Sequence, residues 1–161
     1  MTDTTRKQTP IAKVYEALSA IADNRITMRD TDALVTSSNY SKRYTVRISD
    51  DLYSSNDNAT YWQHYAGYPI VAVLIKQGKL VLPNHSKELL AAFKDINWKK
   101  LNLAHKNNYD QAVSDFLNRS AQPDQIKQLV QVIFDQLNQL PFSVKGNRAK
   151  LIKLVKEDSS K

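Results

Sequence analysis

The chain has 161 residues, a length that suits one compact domain or one small domain with a helical extension. Hydrophobic residues make up 42% and charged residues 24%, which excludes wholesale disorder, and zero cysteines remove disulfides, thiolate metal ligands and a cysteine nucleophile together. With 23 Lys and Arg against 16 Asp and Glu, the net charge of +7 favours polyanions or anionic surfaces without specifying one.

In chain order, Thr9 as N-cap and Pro10 at the first helical position open a helix with Ile11, Val14, Leu18 and Ile21 at helical spacing, ending near Asp23 and Asn24. Ile26 to Met28 and Ala33 to Thr36 read as short strands, and the Ser- and Asn-rich stretch Ser37 to Lys42 as a turn. Tyr44, Val46 and Ile48 alternate with Thr45, Arg47 and Ser49, the pattern of a half-buried strand. Asp50 to Asn58 reads as a loop before the aromatic group Tyr61, Trp62 and Tyr65. Pro69 starts a helix through Ile70, Val73, Leu74 and Gln77 that Gly78 terminates.

Beyond Pro83 the pattern is helix after helix: Ser86 as cap ahead of Leu89, Leu90 and Phe93; a short piece around Trp98 and Leu101; and a face of Tyr109, Ala112, Val113, Phe116 and Leu117. The clearest helix opens at Pro123 and carries Ile126, Leu129, Val130, Ile133, Phe134 and Leu137. Pro141 and Gly146 bound a linker, after which Leu151, Ile152, Leu154 and Val155 suggest a final lysine-laced helix. Met1 to Thr9 and Glu157 to Lys161 are expected to fray. The fold class is therefore α+β: an N-terminal helix, a small antiparallel hairpin or sheet with a helix (a ββα-like unit over residues 10–80), and a mostly helical region over residues 84–157 packing on it.

No motif supplies an active site. His64, His85 and His105 lack metal-binding spacing, and Asp50, Asp51, Asn56, Asp57 and Asn58 lack the alternating ligands, central glycine and closing glutamate of a calcium loop, so turn-capping is their expected role. Gly67, Gly78 and Gly146 build no phosphate loop, and no serine sits in a nucleophile elbow. The expectation is a chain that is not an enzyme, with no catalytic residue, no metal ligand and no cofactor. Cations interleave with aromatics twice, at Tyr40, Lys42, Arg43, Tyr44 and Arg47, and at Lys94, Trp98, Lys99, Lys100 and Lys106. Such mixtures hold phosphates while rings stack on bases, or else pack their rings inward and snorkel their cations. No N-terminal run reads as a signal peptide, and the longest apolar stretch, Ile70 to Ile75, is too short for a membrane span, so a cytoplasmic setting without membrane partners is expected.

The stretch from Val14 to Leu80 resembles the SWIM zinc-finger domain, in which tyrosine-x-valine leads into a Cys-x-Cys loop and, after a spacer, Cys-x-His opens a helix. Here Tyr44-Thr45-Val46 leads into Tyr53-Ser54-Ser55-Asn56-Asp57, and Gly67-Tyr68-Pro69 runs into Ile70-Val71-Ala72-Val73-Leu74. The ligand positions fall on Tyr53 and Ser55, or Ser54 and Asn56, and on Gly67 and Pro69, none of which is an ordinary zinc ligand. The resemblance therefore implies a zinc-free variant, with Tyr53, Trp62, Tyr65, Tyr68 and Pro69 expected to fill the former metal region by apolar contact. It also implies a non-catalytic binding module, with Lys42, Arg43, Arg47, Lys76 and Lys79 as candidate nucleic-acid contacts. The alternatives are a protein-interaction or assembly subunit using the stripe Ile126, Val130, Ile133 and Leu137, and an enzyme of unrecognised type.

Overall fold

The computed structural model describes residues 6–84 and 86–154. Among these residues seven α-helices and one six-stranded mixed sheet form the α+β fold expected from the sequence. His85, Val155 and the expected frayed ends at residues 1–5 and 157–161 lie outside the described residues.

Helix α1 (Ile11–Ala22) is buried almost all round, from Ala12 to Ala20. Its N-cap is Pro10, not Thr9, because Thr9 Oγ1 donates instead to the Ala66 carbonyl at 2.9 Å. Residues 6–9, also expected to fray, are held in place: the Arg6 guanidinium donates to the carbonyls of Leu140 and Phe142, and Lys7 bridges to Tyr65. Arg6 also stands over the Phe142 ring, 3.8 Å from its centre.

Strands β1 (Ile26–Met28), β2 (Asp32–Thr36), β3 (Lys42–Ser49) and β4 (Leu52–Ser55) form an antiparallel meander. The expected loop at 50–58 is shorter than its Asp and Asn content suggested. Asp50 and Asp51 alone make a two-residue hairpin turn, and Asp50 takes the positive φ (53°) that such turns require. Asp57 then caps a short helix, α2 (Asn58–Gln63), by accepting from the Thr60 N–H at 3.0 Å.

Helix α3 (Tyr68–Lys76) follows as the Pro69 signal predicted, and Gly78 closes it at φ 79°. Every residue from Pro69 to Ile75 is buried, because α3 lies between the sheet and α1 and so needs apolar character all round. Burying a side chain such as Leu74 or Ile70 contributes about 2 kcal/mol.

Helices α4 (Ser86–Leu90), α5 (Trp98–Ala104), α6 (Tyr109–Asn118) and α7 (Pro123–Gln139) follow, with a 3-10 turn at Ala91–Phe93. Helices α4, α6 and α7 and that 3-10 turn pack on α1, and one continuous core joins Val14, Leu18 and Ile70 to Phe93, Phe116, Ile126, Ile133 and Leu137. The α7 stripe offered as an interface is covered by the chain's own core: Ile126, Val130, Ile133 and Leu137 are each at most 1% exposed.

Two expectations fail in the last segment. The linker between Pro141 and Gly146 is strand β5 (Ser143–Gly146), parallel to β4, and the final helix is replaced by strand β6 (Ile152–Lys153), paired with the start of β3. Between these pairings β3 would lose its neighbour. There Asn56 Oδ1 accepts from the Thr45 N–H at 2.9 Å, and Asn147 Nδ2 donates to the Thr45 carbonyl at 3.1 Å. The two amide side chains satisfy the backbone where β4 leaves the sheet and β6 joins it.

Candidate functional site

A half-open groove of about 710 Å³ runs between α1, the β2–β3 turn, α2 and α5. One end is built by an anchoring contact. The Trp98 N–H donates to Ser38 Oγ (2.9 Å) and its ring Nε1–H to Ser19 Oγ (2.7 Å), while the ring itself, 2% exposed, packs near Phe116. This pins the start of α5 to both the β2–β3 turn and α1. Asn97 caps α5 by accepting from the Lys100 N–H, and Lys99 on the first turn then borders the same groove as Lys42.

Lys42 and Lys99 line the groove, and Lys153, paired in register with Lys42, stands beside it. Burial, then repulsion from Lys99 and Lys153, holds the Lys42 ammonium below the usual lysine range. Among the described residues no carboxylate comes within ion-pair distance of these three. The rings available to a ligand are Trp62 on α2, at 67% exposure and edge-on to Tyr61, together with Tyr65 and Tyr109. Tyr44 and Tyr68 lie deeper and meet edge to face, and burial pushes both hydroxyls well above the ordinary tyrosine value.

The floor is polar. Lys13 and Glu16, one helical turn apart on α1, approach to 3.5 Å with side chains 10% and 9% exposed. Burial raises the Glu16 carboxyl, with Lys13 and Asn102 opposing it; burial would lower Lys13, yet Glu16, Tyr109 and Tyr65 raise it. The Lys13 ammonium also stands 4.5 Å from the centre of the Tyr109 ring.

The five cations expected from the sequence do not make one patch. Lys42 lies in the groove. Arg43 and Arg47 alternate to the opposite face of β3, where Arg43 reaches Thr36 Oγ1 (3.3 Å) and Arg47 pairs in register with Asp32. Lys76 and Lys79 sit at the far end of α3, with Lys79 donating to Tyr53 Oη (2.8 Å) near the β3–β4 turn. That turn is about 23 Å from Lys42, at ~3.3 Å for each residue of β3.

Ser55 and Gly67, at positions where the SWIM resemblance would place ligands, meet around Asp57. Ser55 Oγ and Thr60 Oγ1 both donate to Asp57 Oδ1, and the Gly67 N–H donates to Thr60 Oγ1 at 3.0 Å. Any β-carbon on Gly67 would overlap the Asp57 carboxylate, so this network requires glycine there. The expected apolar filling is partial: Tyr53 and Pro69 are buried, Tyr65 and Tyr68 half-buried, and Trp62 faces solvent. A polar network joins this region because short serine and threonine side chains leave room for a shared carboxylate. His64 is exposed, and His105 Nε2 pairs with Asp115 at 3.0 Å. Among the described residues no group of three His, Asp or Glu could hold a metal ion.

A family model described as Uncharacterised conserved protein UCP014422 matches residues 6–143, spanning α1, strands β1–β4 and every residue that lines the groove. The chain belongs to that family. No curated protein and no solved structure matches it. Lys13, Glu16 and Asn102 escaped sequence reasoning, although a charged pair one turn apart on an otherwise apolar helix was a visible signal for the first two.

Proposed function

We propose that the chain is a non-catalytic binding module whose groove takes single-stranded nucleic acid, built on a zinc-free SWIM-like hairpin and helix. One observation carries this reading. The two sequence stretches that interleave cations with rings contribute Lys42 and Tyr44 from one side and, more than fifty residues on, Trp98 and Lys99 from the other to a single groove. Lys42 and Lys99 in the groove, with Lys153 beside Lys42, attract phosphates, while the rings of Trp62, Tyr65 and Tyr109 offer faces on which unpaired bases stack. A duplex keeps its bases stacked on each other and cannot use those rings. The order of β3, β4 and, after the short helix α2, α3 is compatible with the hairpin-then-helix layout of the SWIM-like family.

The test is fluorescence anisotropy with labelled single-stranded RNA and with a duplex of matched length. Single strands should bind more tightly than the duplex, and the double substitution Lys42→Glu and Lys99→Glu should abolish binding while leaving the thermal unfolding midpoint in place. Equal affinity for duplex and single strand, or an unaffected double variant, would refute the reading.

A further inference from the structure

The Lys13 and Glu16 pair on the groove floor is not used by rim phosphates, although the Lys13 ammonium also packs on one face of the Tyr109 ring. A carboxylate beside an ammonium offers two acceptor oxygens next to a donor, on side chains only 9% and 10% exposed that line the groove. The Watson–Crick edge of guanine presents the complement: the N1–H and an N2–H donate side by side, and O6 next to them accepts. Adenine offers one donor beside one acceptor and cytosine one donor beside two acceptors, so each leaves a carboxylate oxygen unpaired. Uracil flanks its single N–H with two carbonyls, one of which must face the carboxylate. Guanine alone satisfies both oxygens of Glu16 and the ammonium of Lys13 together. Tyr65 and Tyr109 stand beside that pair, where they can flank a base whose edge points at the floor.

We propose that the groove is selective for guanine, whose Watson–Crick edge is read by Glu16 and Lys13 while Tyr65 and Tyr109 flank the ring; this rests on the nucleic-acid reading of the same groove. Asn102, 8% exposed and close to Glu16, is a positioning residue that holds the carboxylate in orientation. The site makes no bond and needs no cofactor, so its signature is affinity alone.

The experiment uses the full chain and fluorescein-labelled oligouridine strands carrying one central guanine, inosine or adenine. Inosine keeps N1–H and O6 but lacks the N2 amino group, so it removes one hydrogen bond to a charged group and nothing else. Guanine should bind about tenfold or more tighter than inosine, the factor such a bond is worth. In Glu16→Gln the ratio of guanine to inosine affinity should fall towards one, with the salt dependence of binding unchanged. Equal binding of guanine, inosine and adenine to the wild-type chain would overturn guanine selectivity while leaving groove binding intact, as would a Glu16→Gln variant that keeps the full ratio. Failure of every strand to bind would overturn the nucleic-acid reading itself.

Discussion

Replacing Asp57 by alanine should cost the fold about 3 kcal/mol, from one N-cap bond worth ~1 and two buried hydroxyls left without their acceptor at ~1 each. The side chain is 5% exposed and accepts from the Thr60 N–H at 3.0 Å, from Thr60 Oγ1 at 2.9 Å and from Ser55 Oγ. Equilibrium urea unfolding followed by tryptophan fluorescence measures the loss, and the midpoint should fall by roughly 1–2 M, given a slope of about 2 kcal/mol per molar. Gly67→Ala supplies the decisive comparison, because its new methyl group would occupy the carboxylate's place. On its own it should destabilise strongly. In the Asp57→Ala background the obstruction is gone, so the two losses should sum to clearly more than the double variant shows. Strict additivity, or an Asp57→Ala loss below about 0.5 kcal/mol, would refute the claim that this network joins β4, α2 and α3.

Three further outcomes follow from the same geometry. Trp62→Ala should weaken single-strand binding by about 1–3 kcal/mol, the value of one stacked base, without moving the urea midpoint, since the ring is 67% exposed. Burial raises Tyr44 and Tyr68, so below about pH 10 both folded and unfolded chains keep those protons and stability is unaffected. Above that pH the unfolded chain ionises first, and stability should fall with rising pH by up to ~1.4 kcal/mol per unit for each tyrosine; Tyr68→Phe should make that alkaline decline shallower in pH-dependent urea melts. Dialysis against a chelator should leave the melting temperature unchanged, because Tyr53, Ser55, Gly67 and Pro69 offer no ordinary zinc donors, and a fall in melting temperature would contradict the zinc-free account.

The elements legible in the sequence were those with strong local signals. Pro69 and Gly78 bracket α3, Pro123 opens the periodic stripe of α7, and alternation from Tyr44 to Ser49 marks β3. The elements missed are those whose conformation is set by a distant partner. Ser143–Gly146 becomes a strand only because β4 lies parallel to it, and Leu151 to Leu154 suits a helical spacing as well as the two-residue strand that β3 selects. Leu52–Ser55 was hidden by flanking Asp and Asn, which make a hairpin turn and a helix cap where a continuous loop was expected. For the site, rings and cations were visible in both interleaved stretches. Their convergence was not, since it depends on Ser19 and Ser38 anchoring Trp98 across about sixty to eighty residues of chain. Strand alternation separates Lys42 from Arg43 and Arg47, but only tertiary structure decides which face borders the groove.

The most direct test of the central claim is the salt dependence of single-stranded RNA binding by the wild-type chain. Plotting log affinity against log salt concentration should give a line of slope about −2, at ~0.7 for each phosphate neutralised by Lys42 and Lys99 in the groove and by Lys153 beside Lys42. Affinity that stays constant across the salt range, or no binding at its low end, would contradict the assignment of this groove to nucleic acid.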